Sequence, residues 1–259
     1  MDPGAAALNA IANRSKMAGL VMDFDGVLSP IIDDPSASEL LPGTEEVLGS
    51  LATKLGLVAL LSGRPVDFLA DRAAVPGVAL YGSYGLEQRT DSGVSVLPDA
   101  ERWMPNVQAA TAWLHEKLDG AEGIHVEDKS LAVAVHWRRA ADHAAAADAI
   151  NPLVQEAASL HGLRREPGKF VEELRIPVNQ DKGTALHRIM DEGGLEVTAY
   201  AGDDLGDLPA FRAVSLARGH ALIVDGPDMA PGVETVAGAH FDGPADFHLW
   251  LKRLDEATS

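Results

Sequence analysis

Acidic side chains recur in two tight groups along this chain, Asp23-Phe24-Asp25-Gly26 and Gly202-Asp203-Asp204-Leu205-Gly206-Asp207, each after a run of apolar residues. Gathered in one crevice, Asp23, Asp25, Asp203, Asp204 and Asp207 would repel and raise one another's pKa. A hard divalent cation relieves that repulsion. Mg²⁺ takes oxygen ligands, keeps some waters and shares phosphate oxygens, so all five aspartates are candidate metal ligands for phosphoryl chemistry. The plainer reading is that each aspartate caps a helix or serves a turn. Two acidic groups at two strand ends, with Ser62-Gly63-Arg64 at a third, favour a site over scattered caps.

A phosphate dianion among carboxylates needs donors and positive charge. Ser62 supplies a hydroxyl and Lys182, in Asp181-Lys182-Gly183, supplies an ammonium. Gly26 and Gly63 let the backbone approach closely, and Arg64 stands beside them; with Mg²⁺ these form an electrostatic cradle. The Asp-x-Asp pair divides the labour. Asp23 is the candidate nucleophile, forming an aspartyl phosphate, and Asp25 the candidate acid and base for the leaving oxygen and the attacking water. Side chains at i and i+2 of a strand share a face, so both carboxylates are expected to point at one phosphorus.

The surrounding pattern predicts the elements that hold these groups. Residues 4–17 read as a helix and 19–24 as a strand apolar on both faces. A helix over 43–55, a strand over 56–61, a helix over 65–74 and a strand over 77–82 follow. That alternation is the mark of a doubly wound, Rossmann-like α/β parallel sheet. It is then interrupted by a helix over 102–119, strands near 124–128 and 131–138, an Ala-rich helix over 139–161 holding Pro152, and strands near 162–166 and 169–175. This αββαββ stretch is an inserted α+β cap, expected over residues 100–175, with the core in 1–99 and 176–259. The first pattern resumes with a helix from Asp181 to about Glu192, a strand over 196–201, a helix over 206–213 and a strand near 220–224. In such a sheet ligands bind at the carboxyl ends of the strands, beside the switch point. The acidic groups and Ser62-Gly63-Arg64 fall there.

Composition narrows the partners. The 259 residues carry a formal net charge of −18, which argues against a sequence-independent grip on nucleic acid. There is no cysteine, so disulfides and thiolate metal sites are excluded. The first ten residues, Met-Asp-Pro-Gly-Ala-Ala-Ala-Leu-Asn-Ala, hold no basic stretch leading into an apolar core. No uninterrupted apolar run reaches membrane-spanning length. A cytoplasmic location, away from membranes, is the expectation. Nothing sets an oligomeric state, and a monomer is compatible with the sequence.

In order and spacing, Asp23-Phe24-Asp25-Gly26-Val27-Leu28, Leu60-Leu61-Ser62-Gly63-Arg64-Pro65, Lys182-Gly183 and Gly202-Asp203-Asp204 with Asp207 resemble the four motifs of the haloacid-dehalogenase-like phosphohydrolases. Within them the chain is most similar to the trehalose-6-phosphate phosphatases. The first motif continues as Gly26-Val27-Leu28-Ser29-Pro30-Ile31. Gly82-Ser83-Tyr84-Gly85-Leu86-Glu87 matches a family segment that usually has His where Tyr84 stands. Val126-Glu127-Asp128-Lys129 with Val135-His136-Trp137-Arg138 resembles the family's cap hairpin, and Glu173-Leu174-Arg175 its stretch before the lysine. The resemblance implies a hydrolase of trehalose biosynthesis that uses Mg²⁺ and takes a small sugar phosphate. It makes Glu127, Lys129, Glu173 and Arg175 contacts to the substrate, with a cap that opens and closes about Pro-containing linkers near 98–101 and 175–180. An exposed cross-strand pair is the plainer account of Glu127 and Lys129. One of His136 and Trp137 is expected to pack in the cap core. Gly206 before Asp207, Leu208-Pro209 after it and Ile176-Pro177 after Arg175 depart from the family pattern. Sucrose phosphate, mannosyl-glycerate phosphate or an aminocyclitol analogue therefore stand as alternative substrates, and a phosphomutase or a non-catalytic phosphosugar binder as alternative functions.

Overall fold

Strand β1 (Ala18–Met22) is buried along its whole length, as a central parallel strand covered on both faces must be. It follows α1 (Pro3–Ala12), whose first turn is closed by the Asp2 carboxylate accepting the Ala5 N–H at 3.0 Å. The computed structural model describes residues 2–32, 35–168, 170–226 and 232–258. Onward from β1, α2 (Thr44–Lys54), β2 (Leu57–Leu61), α3 (Val66–Ala73) and β3 (Ala79–Gly82) keep the alternation. The chain then doubles back through β4 (Glu87–Thr90), antiparallel to β3, and β5 (Gly93–Val96). Next come α4 (Pro98–Glu101), α5 (Met104–Lys117), β6 (His125–Asp128), β7 (Ala132–His136), α6 (His143–His161), β8 (Arg164–Gly168) and β9 (Val171–Arg175). Then α7 (Lys182–Gly193), β10 (Val197–Gly202), α8 (Leu208–Leu216), β11 (His220–Val224), β12 (Ala239–Phe241) and α9 (Gly243–Ala257) complete the described chain.

Two compact units result, Met1–Ser95 with Gln180–Ser259, and Val96–Asn179. Among the described residues the larger sheet runs β12-β11-β10-β1-β2-β3-β4-β5 and is parallel from β12 to β3. From β1 the order departs in both directions, to β2 on one side and β10 on the other, which makes their carboxyl ends the switch-point crevice. Apolar side chains cover both faces. Leu20 and Met22 join Leu48, Leu51, Leu69, Phe247 and Trp250 on one, while Val21 joins Leu186, Ile189, Phe211 and Val214 on the other.

In the second unit the strands run β6-β7-β9-β8, all antiparallel. Val126, Val133, Val135 and Leu174 are buried on one face, where α5 and α6 meet these strands. By the two-residue period, His125, Glu127, Lys129, His136, Glu173, Arg175 and Glu166 share the other face.

Several boundaries differ from expectation for local reasons. The first strand stops at Met22 rather than Phe24. The Asp23 carboxylate takes the Phe24 N–H at 2.7 Å, and the Leu28 and Ser29 N–H groups both turn back to the Phe24 carbonyl. The first helix ends at Ala12, short of residue 17. The Ala-rich helix starts at His143, where Asp142 caps the N–H groups of Ala144 and Ala145, and it runs on through Pro152. The linker expected at 98–101 is the short helix α4, with Pro98 in its first turn. Lys169, at the start of the strand expected over 169–175, lies outside the described residues, and β9 begins at Val171. The β4–β5 excursion, β12 and α9 were not anticipated. For α9 the signal was present: Phe247, Trp250, Leu251 and Leu254 fall at helical spacing and are buried. No described helix is long and apolar enough to cross a membrane.

Candidate active site

Two strand ends and the start of one helix supply the charged groups of the site. Asp23 follows β1, and its N–H still bonds the Ala201 carbonyl of β10 at 2.9 Å. That ladder bond fixes the carboxylate beside the end of β10, where Asp203, Asp204 and Asp207 follow. Lys182 opens α7, whose cap residue Asp181 accepts the Thr184 N–H at 2.7 Å. The Lys182 ammonium reaches Asp23 Oδ2 at 2.5 Å and Asp207 Oδ1 at 2.7 Å, with all three side chains buried.

Asp207 holds this arrangement in place. Its Oδ1 accepts from Lys182 and from the Tyr200 hydroxyl. Its Oδ2 accepts the N–H groups of Asp203 at 3.0 Å and Asp204 at 3.1 Å. Both oxygens are thus engaged from within the chain. Tyr200, fully buried on β10, packs edge-on against Phe211.

The electrostatics follow from burial. Loss of water raises the Asp23 carboxyl to about 7; Lys182 opposes that rise and Asp207 adds to it. Burial, and then Asp23, Asp207 and Asp204, push Asp203 up to about 8. Burial works against the Lys182 ammonium, but Asp207 and Asp23 outweigh it and hold its pKa well above the usual value. One oxygen from each of Asp23, Asp203 and Asp207 lies within 4.8 Å of the others. A buried set of carboxylate oxygens with such raised pKa values fits a hard divalent cation, which would favour their ionised forms. Asp207 already accepts four hydrogen bonds, two on each oxygen, whereas Asp23 accepts one on each, so Asp23 and Asp203 keep lone pairs for a cation and are the better-placed donors. Gly26, at φ +74°, turns the chain beneath them, and a Cβ there would collide with the Asp203 carboxylate.

Other expected residues fall differently. Asp25 does not share a strand face with Asp23, because the strand has ended. Its carboxylate is instead gripped by Arg64, at 2.7 Å from Nε and 3.1 Å from Nη2, and Arg64 also lies over the Phe68 ring. Asp204 is exposed and caps the turn, accepting the Gly206 N–H at 2.6 Å. Ser62 is buried at the end of β2, and its Oγ accepts the Arg64 N–H at 3.3 Å. The structure therefore brings Asp23, Asp203, Asp207 and Lys182 together, while Asp25 is tied to the Ser62-Gly63-Arg64 loop and Asp204 to its own turn.

In the second unit the expected residues join one charged network. Lys129 bonds Glu173 at 2.9 Å and stands 3.8 Å from Glu127; Arg175 pairs with Glu166 at 2.8 Å and lies 3.8 Å from Glu173. His136 Nε2 lies 2.8 Å from Glu127 Oε2, on the polar face, while Trp137 is buried. Tyr200, Glu166 and the Glu127 link of His136 were missed in the sequence. Only their tertiary partners distinguish them, except that Tyr200 stands in the run leading to Gly202-Asp203-Asp204.

A family profile described as Trehalose-phosphatase matches residues 21–232. The trehalose-phosphate phosphatase of Mycobacterium tuberculosis is 36% identical over 246 residues, covering 93% of this chain and 62% of the relative. That of Mycobacterium leprae is 36% identical over 213 residues, covering 77% and 48%. The chain thus spans about half to under two thirds of the length of the curated relatives it matches. The solved C-terminal domain of Candida albicans trehalose-6-phosphate phosphatase is similar in fold, with a TM-score of 0.71 at 21% identity, covering 98% of this chain and 96% of that one.

Proposed function

The chain belongs to the trehalose-phosphatase family, and on that premise we propose that it is a Mg²⁺-dependent phosphatase converting trehalose 6-phosphate to trehalose and phosphate in the cytoplasm. The observation that carries the chemistry is the buried Lys182 bridging Asp23 and Asp207. It keeps a charged ammonium against the nucleophile and holds Asp23 in one orientation.

In the first step an Asp23 carboxylate oxygen attacks phosphorus and the ester P–O bond breaks. Asp25 leaves Arg64 as the substrate enters, takes up a proton from solvent, and gives it to the leaving sugar oxygen. In the second step water gives its proton to Asp25 and attacks the same phosphorus, releasing phosphate and restoring Asp23. Lys182 stays charged throughout and balances the oxygens that gather negative charge. Mg²⁺, held by Asp23 and Asp203, would neutralise charge on the phosphoryl oxygens when bound. Ser62, Gly26, Gly63 and Arg64 receive the phosphoryl group. The inserted unit acts as a specificity cap, in which Glu127, Lys129, Glu173 and Arg175 exchange bonds with one another for bonds to sugar hydroxyls.

Phosphate release from a panel of sugar phosphates, with and without Mg²⁺, for wild type and Asp23→Asn tests this. Release from trehalose 6-phosphate far above the other sugars, lost in the variant and without metal, is the expected result. Metal-dependent release from sucrose phosphate, mannosyl-glycerate phosphate or an aminocyclitol analogue would keep the mechanism and replace the substrate. Release unchanged in Asp23→Asn would remove the nucleophile assignment.

A further inference from the structure

The loop after β2 is clasped by a strained segment. Ser83 at φ 50° and Tyr84 at φ 59° are consecutive non-glycine residues in the left-handed region, where a side chain crowds the backbone. Such conformations persist only where their surroundings over-determine them, and they gather at functional loops. Here the Ser83 N–H donates to the Arg64 carbonyl at 2.7 Å and the Tyr84 N–H to the Ser62 carbonyl at 2.9 Å. Buried Glu87 accepts the Val66 N–H at 2.8 Å and the Ser83 hydroxyl at 3.0 Å, tying the segment to the start of α3. These bonds lay the half-buried Tyr84 ring over Gly63. A Cβ built on Gly63 would come within 2.9 Å of Tyr84 Cζ and 3.0 Å of its hydroxyl oxygen. The Gly63 N–H has no acceptor among the described residues. To one side of Gly63 is the buried Ser62; to the other is Arg64, which holds Asp25.

Resting on the phosphatase reading above, we infer that Tyr84 is a phosphate-binding residue whose hydroxyl donates to a phosphoryl oxygen held at the Ser62–Arg64 loop, beside the Gly63 N–H. A phenol suits this place. It donates a hydrogen bond without adding charge to a site already balanced by Lys182, and a bond to an anionic oxygen is stronger than one between neutral groups. The strained backbone is what aims it.

Titration calorimetry with inorganic phosphate in the presence of MgCl2 compares wild type with Tyr84→Phe, which keeps the ring over Gly63 and removes only the donor. The expected result is a Kd for phosphate raised roughly tenfold with an unchanged melting midpoint. Tyr84→His, which restores a ring donor, recovers part of the affinity if donation matters; if it recovers none, packing alone is at work and the inference fails. Equal affinity in wild type and Tyr84→Phe also overturns it, and leaves the phosphatase reading intact where wild type turns over a sugar phosphate. Weakened phosphate binding in Tyr84→Phe, beside a wild type that hydrolyses nothing, supports the Tyr84 role and overturns the phosphatase reading. A wild type that binds no phosphate removes the role outright.

Discussion

Two lysines in this molecule do the same thing in different surroundings. Lys182 bridges Asp23 and Asp207 in the core unit, at 2.5 and 2.7 Å. Lys129 stands between Glu173 and Glu127 in the inserted unit, at 2.9 and 3.8 Å. The first trio is sealed, with side chains 4%, 9% and 0% exposed; the second is open, at 22%, 20% and 36%. Sealing makes the charges expensive and their geometry fixed, because each lost partner leaves an ion stranded away from water. Openness makes the second trio cheap to rearrange, because water and salt replace any lost contact. Fixed charge suits an attack on phosphorus. Exchangeable charge suits the recognition of hydroxyls.

The largest effect expected from this contrast is on turnover. Asp23→Asn, which on the proposed mechanism removes the nucleophile, lowers phosphate release by about four orders of magnitude or more, measured in a steady-state assay. Asp207→Ala breaks the sealed trio and leaves Lys182 half-partnered, costing about 3–5 kcal/mol of folding stability by urea unfolding. A cost close to that of a surface pair would mean that the burial contrast carries no energetic weight.

Next in size is the response to the cation. Mg²⁺ at about a hundred times its Kd stabilises the fold by about 2.7 kcal/mol, read as a raised melting midpoint that EDTA reverses. Its pH dependence has a definite sign. Asp23 and Asp203, at about 7 and about 8 in the metal-free protein against an ordinary 3.8, each contribute stability that is present at low pH and lost as pH rises through the folded value. The gap between metal-loaded and metal-free melting midpoints therefore widens as pH climbs through that window. A gap that stays flat would show that these carboxylates do not bind the ion.

The smallest effect sharpens the other half of the contrast. Lys129→Ala changes stability by less than about 1 kcal/mol yet raises KM for trehalose 6-phosphate roughly tenfold, the loss of one charged hydrogen bond. If stability fell while KM held, the exposed trio would be a structural tie rather than a contact for sugar.

Much of the site could be read in the chain itself. Asp23, Lys182 and Asp203 were legible because each ends a buried apolar run or opens a patterned helix, and residues at such positions face the crevice of a parallel sheet. Glu127, Lys129 and Glu173 were singled out only through the family resemblance; the alternation of Val133 and Val135 along their strand marked which face packs inward. The backbone that carries Asp25 differs from expectation. The strand rule assumed an extended backbone, and the Asp23 side chain ends that backbone by taking the next N–H. Helix α9 was overlooked although its spacing was plain, whereas β4, β5 and β12 are too short for periodicity to declare.

Local patterning determined the alternation of strands and helices, the inserted αββαββ stretch and the short list of chemical residues, since these depend on neighbours a few positions apart. The tertiary structure decided which of those residues share charge. Lys182 and Asp23 are 159 residues apart in sequence and 2.5 Å apart in space, and the pKa of each depends on burial and on the other's presence. The Asp203 and Asp204 N–H groups that bond Asp207 are its near neighbours in sequence, but nothing local could reveal that Lys182 and the Tyr200 hydroxyl would share its other oxygen, or that Arg64 would take Asp25. Those outcomes rest on a register of strands, and a register is set only when the whole sheet closes over its core.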